Sequence, residues 1–311
     1  VQLPTELREW IERRAETLPF AALQRAASEI SAAYRERRAT AQARLTPEER
    51  VAAYLAVRAP ATYAAARAVL EEVRRRCGAR PQTLLDIGAG AGTAAFAARE
   101  VFPDVDRLTL IEADPALARA GRELVPTGEW RIADARREPG FPEHDFVLAS
   151  YALAELQDPA AAMRLWRAAR LALVIIEAGT PAHAEFIQRV RAQLLAEGAC
   201  MIAPCPGREQ CPLPPHDWCH FAVRVERSSL HRRLKKASLG YEDEKFSYVA
   251  VSRRPAEPAR ARIIRRPLVR PGLISLEVCF GDRVEQVRAP KSNRELFQAA
   301  RKAAWGDEWS G

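Results

Sequence analysis

The sequence predicts an α/β protein: a doubly wound, mostly parallel sheet with a helical extension before it and a small basic β/α element after it. Three observations lead there. Apolar strand-like runs alternate with helix-like runs over residues 83–177, the pattern of βαβ units. The first of them, TLLDIGAGAGTAAFAARE, is a strand, a glycine-rich turn and a helix in succession. Finally, PCPGREQCPLPPHDWCHF (204–221) packs three cysteines and five prolines into eighteen residues. Proline blocks helix and cannot donate to a sheet, so this stretch must be held by something other than regular secondary structure.

A chain of 311 residues with 48% hydrophobic content has room for two domains, or for one large domain with additions. No run of eighteen apolar residues occurs, and acids are spread through the first turns. Neither a membrane span nor a signal or transit peptide is therefore expected, and a cytoplasmic protein is. Six cysteines in that setting point to reduced thiols and metal chemistry. The net charge of +8 is uneven: residues 253–302 carry thirteen Lys and Arg against five Asp and Glu. That excess is the footprint of a polyanion, nucleic acid first, with a merely solvated basic face in an Ala- and Arg-rich chain as the competing reading.

Taken in order, residues 1–78 read as a helical region. A helix over 3–14 opens near Pro4 with Thr5 as its cap, 20–38 is Ala-rich and amphipathic, and Thr46-Pro47-Glu48-Glu49 starts another helix. No chemistry is evident in them. Residues 79–254 carry the sheet, with strands at TLLDI, 108–112, 130–133, 145–150 and 171–177, a helix at 181–198, and a last strand at 246–252. A cysteine-rich insertion at 200–221 leads into a strongly basic stretch containing Arg224, Arg227, Arg232, Arg233, Lys235 and Lys236. Pro255 and Pro258 mark a linker, and 255–311 read as a small β element and a basic helix, adding Arg265, Arg266, Arg301 and Lys302.

Gly88, Gly90 and Gly92 allow a tight turn and close approach to a ligand. Such a turn also suits a dinucleotide's pyrophosphate. Asp86, just before it, opposes a pyrophosphate and favours a cation. Glu112, ending the second strand, is spaced for ribose hydroxyls, and Asp134, ending the third, for an adenine amine. Cys205, Cys211 and Cys219 are separated by five and seven residues, unlike the two-residue knuckles of zinc fingers. A fourth ligand is found in SLEVCF: strand alternation puts Ile274, Leu276 and Val278 on one face and Ser275, Glu277 and Cys279 on the polar other. Four thiolates suit zinc or an iron-sulfur cluster alike. Cys77 and Cys200 read as structural cysteines, and His216, His220 and His231 as structural or RNA-facing.

Over residues 83–177 the chain resembles the class I (Rossmann-like) methyltransferases that bind S-adenosylmethionine. The resemblance implies that the turn Gly88-Ala89-Gly90, with Asp86 and Gly92, passes under the methionine part, that Glu112 takes the ribose, that Asp134 lies near the adenine, and that Ser150 is a further cofactor-binding residue. The acceptor motif Asn/Asp-Pro-Pro-Tyr is replaced by Ser150-Tyr151-Ala152-Leu153, leaving Tyr151 and Glu155 as acceptor-side candidates. Methyl transfer needs little acid-base help, so activity is compatible with that replacement.

The cysteine loop, GYEDEKFSYVAVSR, Cys279 and ARKAAWGDEW, in that order, narrow the resemblance to the methyltransferase-like proteins of the small ribosomal subunit, the Rsm-twenty-two type. It implies a four-iron, four-sulfur cluster on Cys205, Cys211, Cys219 and Cys279, with zinc as the alternative. It also implies a role in assembly or maturation of the small subunit, with ribosomal RNA, ribosomal proteins or initiation factors as partners, or active methylation of that RNA. Three ligands in the loop and one in the tail would make the metal the tie between tail and sheet, so that losing it releases the tail.

Overall fold

The computed structural model describes residues 1–35, 45–156, 159–207, 210–214 and 216–311. Four helices come first: α1 (Thr5–Ala15), α2 (Phe20–Arg35), α3 (Pro47–Val57) and α4 (Ala59–Cys77). Pro4 precedes α1 without a side-chain cap, so Thr5 is the first helical residue and not its cap. Thr46 does cap α3: its hydroxyl accepts from the Glu49 N–H while the Glu49 carboxylate accepts from the Thr46 N–H, a reciprocal arrangement contributing about 1 kcal/mol. The run expected over 20–38 is helical to Arg35, and 36–38 lie outside the described residues.

Gly78, at φ 60°, ends α4 in the left-handed region. Strand and helix then alternate: β1 (Thr83–Ile87), α5 (Thr93–Val101), β2 (Arg107–Glu112), α6 (Pro115–Leu124), β3 (Glu129–Ile132), β4 (His144–Ser150), α7 (Leu153–Leu156), α8 (Pro159–Ala168), β5 (Ala169–Ala178) and α9 (Pro181–Ala196). After these come β6 (Cys200–Ala203), β7 (Phe221–Glu226), α10 (Ser229–Leu234) and β8 (Tyr241–Ser252). The sheet order is β3-β2-β1-β4-β5-β8-β6, with β7 also on β8. From β3 to β5 the strands are parallel, and β8 joins β5 antiparallel.

All five residues of β1 are buried, as expected of a strand covered on both faces. One face packs Leu84, Phe146, Leu148 and Val174 in a core shared with Leu7, Trp10 and Leu55 of the leading helices. The other sets Leu85, Val147, Leu173 and Ile175 against Leu165, Trp166 and Val190 of α8 and α9. The helical extension is therefore continuous with the sheet's own core.

β6 and β7 lie end to end along one edge of β8, Ala203 opposite Ala250 and Phe221 opposite Phe246. Across that gap β8 spends three residues, 247–249, and the facing chain spends seventeen, 204–220. The cysteine loop is thus an outgrowth in the middle of an edge strand. Ser247 Oγ pins its end by donating to Cys219 O at 2.8 Å.

The tail forms a second sheet from β9 (Arg262–Ile263), β10 (Leu268–Arg270), β11 (Leu273–Cys279) and β12 (Val284–Pro290), followed by α11 (Arg294–Lys302). β11 pairs with β12 on one side and with β10 and β9 on the other. Its burial alternates, with Ile274, Leu276 and Val278 inward and α11 packing Leu296, Phe297 and Ala300 over them.

Candidate functional sites

The carboxyl ends of β1, β2 and β4 meet in the crevice where open α/β sheets hold ligands. Gly88, Gly90 and Gly92 have φ of 65°, 57° and 77°, a region L-residues occupy at a cost. A Cβ on Gly88 would stand 2.4 Å from Ala152 Cβ, and one on Gly90 2.9 Å from the Tyr54 hydroxyl. Beside the turn, Asp86 is 1% exposed and neither carboxylate oxygen has a hydrogen-bond partner of normal geometry. Burial first, and Glu112 second, push its pKa up to about 8, with the Ala95 N–H acting the other way. Thr93 Oγ1 and Ser150 Oγ are buried and unpartnered as well.

Glu112 has turned onto the backbone. Its Oε2 accepts from Gly90 N–H at 2.7 Å and its Oε1 from Asp114 N–H at 2.8 Å, and burial raises its pKa. Each oxygen keeps a further lone pair, so ribose hydroxyls remain within its chemistry. Asp134 lies two residues beyond β3 and is engaged by the Arg136 guanidinium at 2.7–3.1 Å, which holds its carboxyl below the usual range.

On the acceptor side, Tyr151 takes a positive φ of 57° and donates its hydroxyl to Glu244 Oε1 at 2.9 Å. Arg58 Nη2 approaches the same oxygen at 3.5 Å and lies 5.5 Å from the Tyr151 ring centre. The side chain of Glu155 lies outside the described part of the structure.

The four cysteines singled out in the sequence line one pocket, together with Pro204, Pro206, Leu213, Phe221, Arg191 and Arg262. All are free thiols. Burial, then the neighbouring thiols of Cys205, Cys211 and Cys279, push Cys219 far up, while burial takes Cys279 to about 11. Among the described residues no three His, Cys, Asp or Glu are gathered as a ready-made metal-ion shell. The donor chemistry nonetheless fits a thiolate-held group: four sulfurs in a pocket walled by apolar side chains, with two buried guanidiniums to offset thiolate charge. Arg191 Nη2 donates to Gly207 O at 3.1 Å, fastening the loop to α9.

Arg262 fastens the tail. It is 3% exposed and sits opposite Cys279 in the β9–β11 ladder. It donates to Pro204 O at 3.0 Å, Gly306 O at 2.7 Å and Glu72 Oε1 of α4 at 2.6 Å. Arg76 Nη2 reaches Glu308 at 3.0 Å, and Trp305 packs edge-on against His220, itself stacked on Trp218. The tie between tail and sheet expected of a metal is therefore accompanied by protein contacts. Sequence alone does not reveal Arg191, Arg262 or Glu72, because charged residues read as surface until the fold buries and pairs them.

The basic residues divide into two sets. Arg224 and Arg266 share Asp243 at 2.8 and 3.0 Å, Arg227 and Lys235 share Glu242 at 3.0 and 2.8 Å, and Arg265 pairs with Asp217. The acids of YEDEK thus offset much of the basic stretch. Arg232, Arg233, Lys236, Arg301 and Lys302 are exposed, and Arg233 lies over the Phe20 ring.

The family model described as mitochondrial small ribosomal subunit Rsm22 matches residues 48–310. The human mitochondrial ribosome assembly protein METTL17 is 28% identical over 287 residues, covering 82% of this chain and 61% of METTL17. The Rsm22-cox11 tandem protein 2, mitochondrial, of Schizosaccharomyces pombe is 26% identical over 327 residues, covering 85% of this chain and 43% of that protein. This chain thus spans about half the length of these curated relatives. Among solved structures, an S-adenosylmethionine-dependent methyltransferase from Aquifex aeolicus is 17% identical with a TM-score of 0.42, covering 67% of this chain and 99% of that one. The plantazolicin methyltransferase BpumL in complex with SAH is 13% identical with a TM-score of 0.42, covering 80% and 99%. With 48–310 matched and the sheet order β3-β2-β1-β4-β5-β8-β6, the chain belongs to the Rsm22 family and has the Rossmann-like fold of methyltransferases.

Proposed function

We propose that this chain is an assembly or maturation factor of the small ribosomal subunit that binds ribosomal RNA, carries a four-iron, four-sulfur cluster, and takes S-adenosylmethionine in the glycine-lined crevice. The observation that carries the proposal is the gathering of Cys205, Cys211, Cys219 and Cys279 on one pocket in a chain matched to the family over 48–310. Those four thiolates would hold the cluster, which supplies a cross-link between loop and tail; zinc would supply the same cross-link. Asp86, the Gly88-Ala89-Gly90 turn, Gly92, Glu112, Asp134 and Ser150 would hold the nucleoside, which supplies an activated methyl group. Exposed Arg232, Arg233, Lys236, Arg301 and Lys302 would meet phosphates. Ribosomal proteins or initiation factors are further partners in this reading, and its setting is the cytoplasm; recovery in a mitochondrial fraction would contradict that setting.

A second reading, an active ribosomal RNA methyltransferase, draws support from the unpartnered buried polar atoms of Asp86, Thr93 and Ser150. Such groups fit a site kept for a ligand, which both readings place here, so the transfer of the methyl group must separate them. One experiment separates the readings. The protein is purified anaerobically, its iron and sulfide are quantified, and it is added with methyl-labelled S-adenosylmethionine to immature small subunits from cells lacking it. Tight subunit binding with iron and sulfide present and no label in RNA is the outcome expected of an assembly factor. Label lost on Asp86→Asn establishes the enzyme, and absence of subunit binding refutes both.

A further inference from the structure

The leading helices carried no chemistry in the sequence, yet one of them crosses the crevice. Arg50, Tyr54 and Arg58 are spaced four apart, which sets them in a stripe on one side of α3 and its C-terminal end. Each meets the end of a different strand. Arg50 Nε pairs with Asp114 Oδ2, just past β2, at 2.8 Å, the two side chains 14% and 11% exposed. The Tyr54 hydroxyl lies over Gly90, just past β1, 2.9 Å from where a Cβ would be. Arg58 stands at Tyr151, just past β4, 5.5 Å from its ring centre and 3.5 Å from Glu244.

The lengths agree. Eight residues of helix rise about 12 Å, and β2 to β4 is two interstrand spacings, about 10 Å. The helix therefore runs beside the β2-β1-β4 ends for the whole width of the crevice. On β1, at the start of α5 and at the end of β4, the same edge of the sheet carries the unpartnered oxygens of Asp86 and the hydroxyls of Thr93 and Ser150. Burying unsatisfied polar atoms is costly, and a polar ligand between α3 and the strand ends would relieve that cost.

We infer that α3 is a ligand-binding wall of this crevice, with Arg58 taking the carboxylate at the amino-acid end of a bound adenosyl amino acid and Tyr54 flanking its middle. The inference rests on the reading that the crevice holds such a nucleoside. With the ribose at Glu112 on β2, the amino-acid end points past β1 toward β4, and α3 brings its guanidinium to that end. A guanidinium matches a carboxylate in a two-pronged fork. The carboxylates Asp86 and Glu244, the second already beside Arg58 and Tyr151, suit the ammonium and sulfonium of the same ligand. Arg58, Glu244 and Tyr151 already touch one another, so a carboxylate arriving at Arg58 also acts on the acceptor-side tyrosine.

The test compares two probes on the full chain by calorimetry: S-adenosylhomocysteine, which has the amino-acid end, and methylthioadenosine, which lacks it. Arg58→Met is expected to weaken the first about tenfold to a hundredfold, the usual effect of losing hydrogen bonds to a charged group, and to leave the second within about twofold. Arg58→Lys, which keeps charge but not the fork, is expected to fall between. It also serves as the reporter if the Met variant does not fold. Equal weakening of both probes, or no weakening of either, overturns the assignment to the carboxylate. If the wild-type chain binds neither probe, the cofactor reading itself fails and this assignment falls with it.

Discussion

Replacing Arg262 by Met tests how the tail is held. The guanidinium is buried and makes three charged hydrogen bonds, to Pro204 O, Gly306 O and Glu72. Breaking a buried ion pair from one side typically costs about 3–5 kcal/mol. Here Glu72 keeps Arg76 and Arg75 at 2.5 Å each, so the lower end, about 3 kcal/mol, is expected. For a chain of this size that corresponds to a fall in melting temperature of about 4–5 °C. Burial pushes the Glu72 pKa up, but Arg262, Arg76 and Arg75 outweigh it and hold it down to about 2. A depressed carboxylate contributes stability that is present above its unfolded pKa near 4.5 and is lost as pH falls toward 2. The wild-type advantage over Arg262→Met should therefore shrink over that window. Urea unfolding with hydrogen exchange over residues 303–309 reads both effects. Glu72→Gln with Arg262→Met should be less destabilised than the sum of the single changes. A loss under about 1 kcal/mol, or strict additivity, would refute the reasoning.

Asp86→Asn should stabilise the ligand-free protein by about 1–3 kcal/mol at pH 8 while abolishing nucleoside binding. Its raised carboxyl favours folding below its unfolded pKa, and that contribution is lost as pH rises through about 8, so the gain should vanish near pH 4 in melting curves. Cys211→Ser should lose iron and sulfide by direct assay, yet leave residues 303–309 partly protected from protease, because Arg262 and the Trp305 contacts persist; complete release would restore the metal-only tie. Gly88→Ala should cost about 2 kcal/mol or more by denaturant titration, since it adds a left-handed Cβ penalty to a contact of 2.4 Å with Ala152. Arg232→Ala with Lys236→Ala should weaken RNA binding and flatten its salt dependence by about 1.5 in log-log slope. Arg224→Ala, whose charge is matched by Asp243, should change it less, and equal effects would count against the phosphate assignment.

Features written in local periodicity are legible in the amino-acid sequence alone. TLLDI reads as a buried strand because its apolar run is short and followed by glycines, and 274–279 alternates because one face of β11 meets α11 and the other does not. Cys279 is legible as a partner of the loop for the same reason: alternation places it opposite the apolar face. Pairings across long separations are not legible. Nothing within 200–226 says that Ala203 and Phe221 share one edge of β8, since that depends on the register of a strand twenty residues further on. Net charge misleads in a similar way, because Glu242 and Asp243 pair with four basic residues, offsetting half of their charge, only once β7, α10, β8 and the tail's Arg266 are folded together.

The same limit bears on the metal. From spacing alone, three cysteines in a proline-rich loop and a fourth in the tail make the metal the natural fastener. The fold shows Arg262 reaching, from a position opposite Cys279, the carbonyl just before Cys205. Two cysteine-bearing segments are thus brought together by an arginine. If these cysteines hold the proposed cluster, a site held this way would be arranged beforehand, so that assembly of the cluster would have less chain to order and a smaller entropic cost to meet. It follows that the contribution of the proposed cluster to folding should fall short of the 10 kcal/mol or so seen in metal sites that organise their own domains. A cluster-free protein that unfolds entirely would contradict that argument.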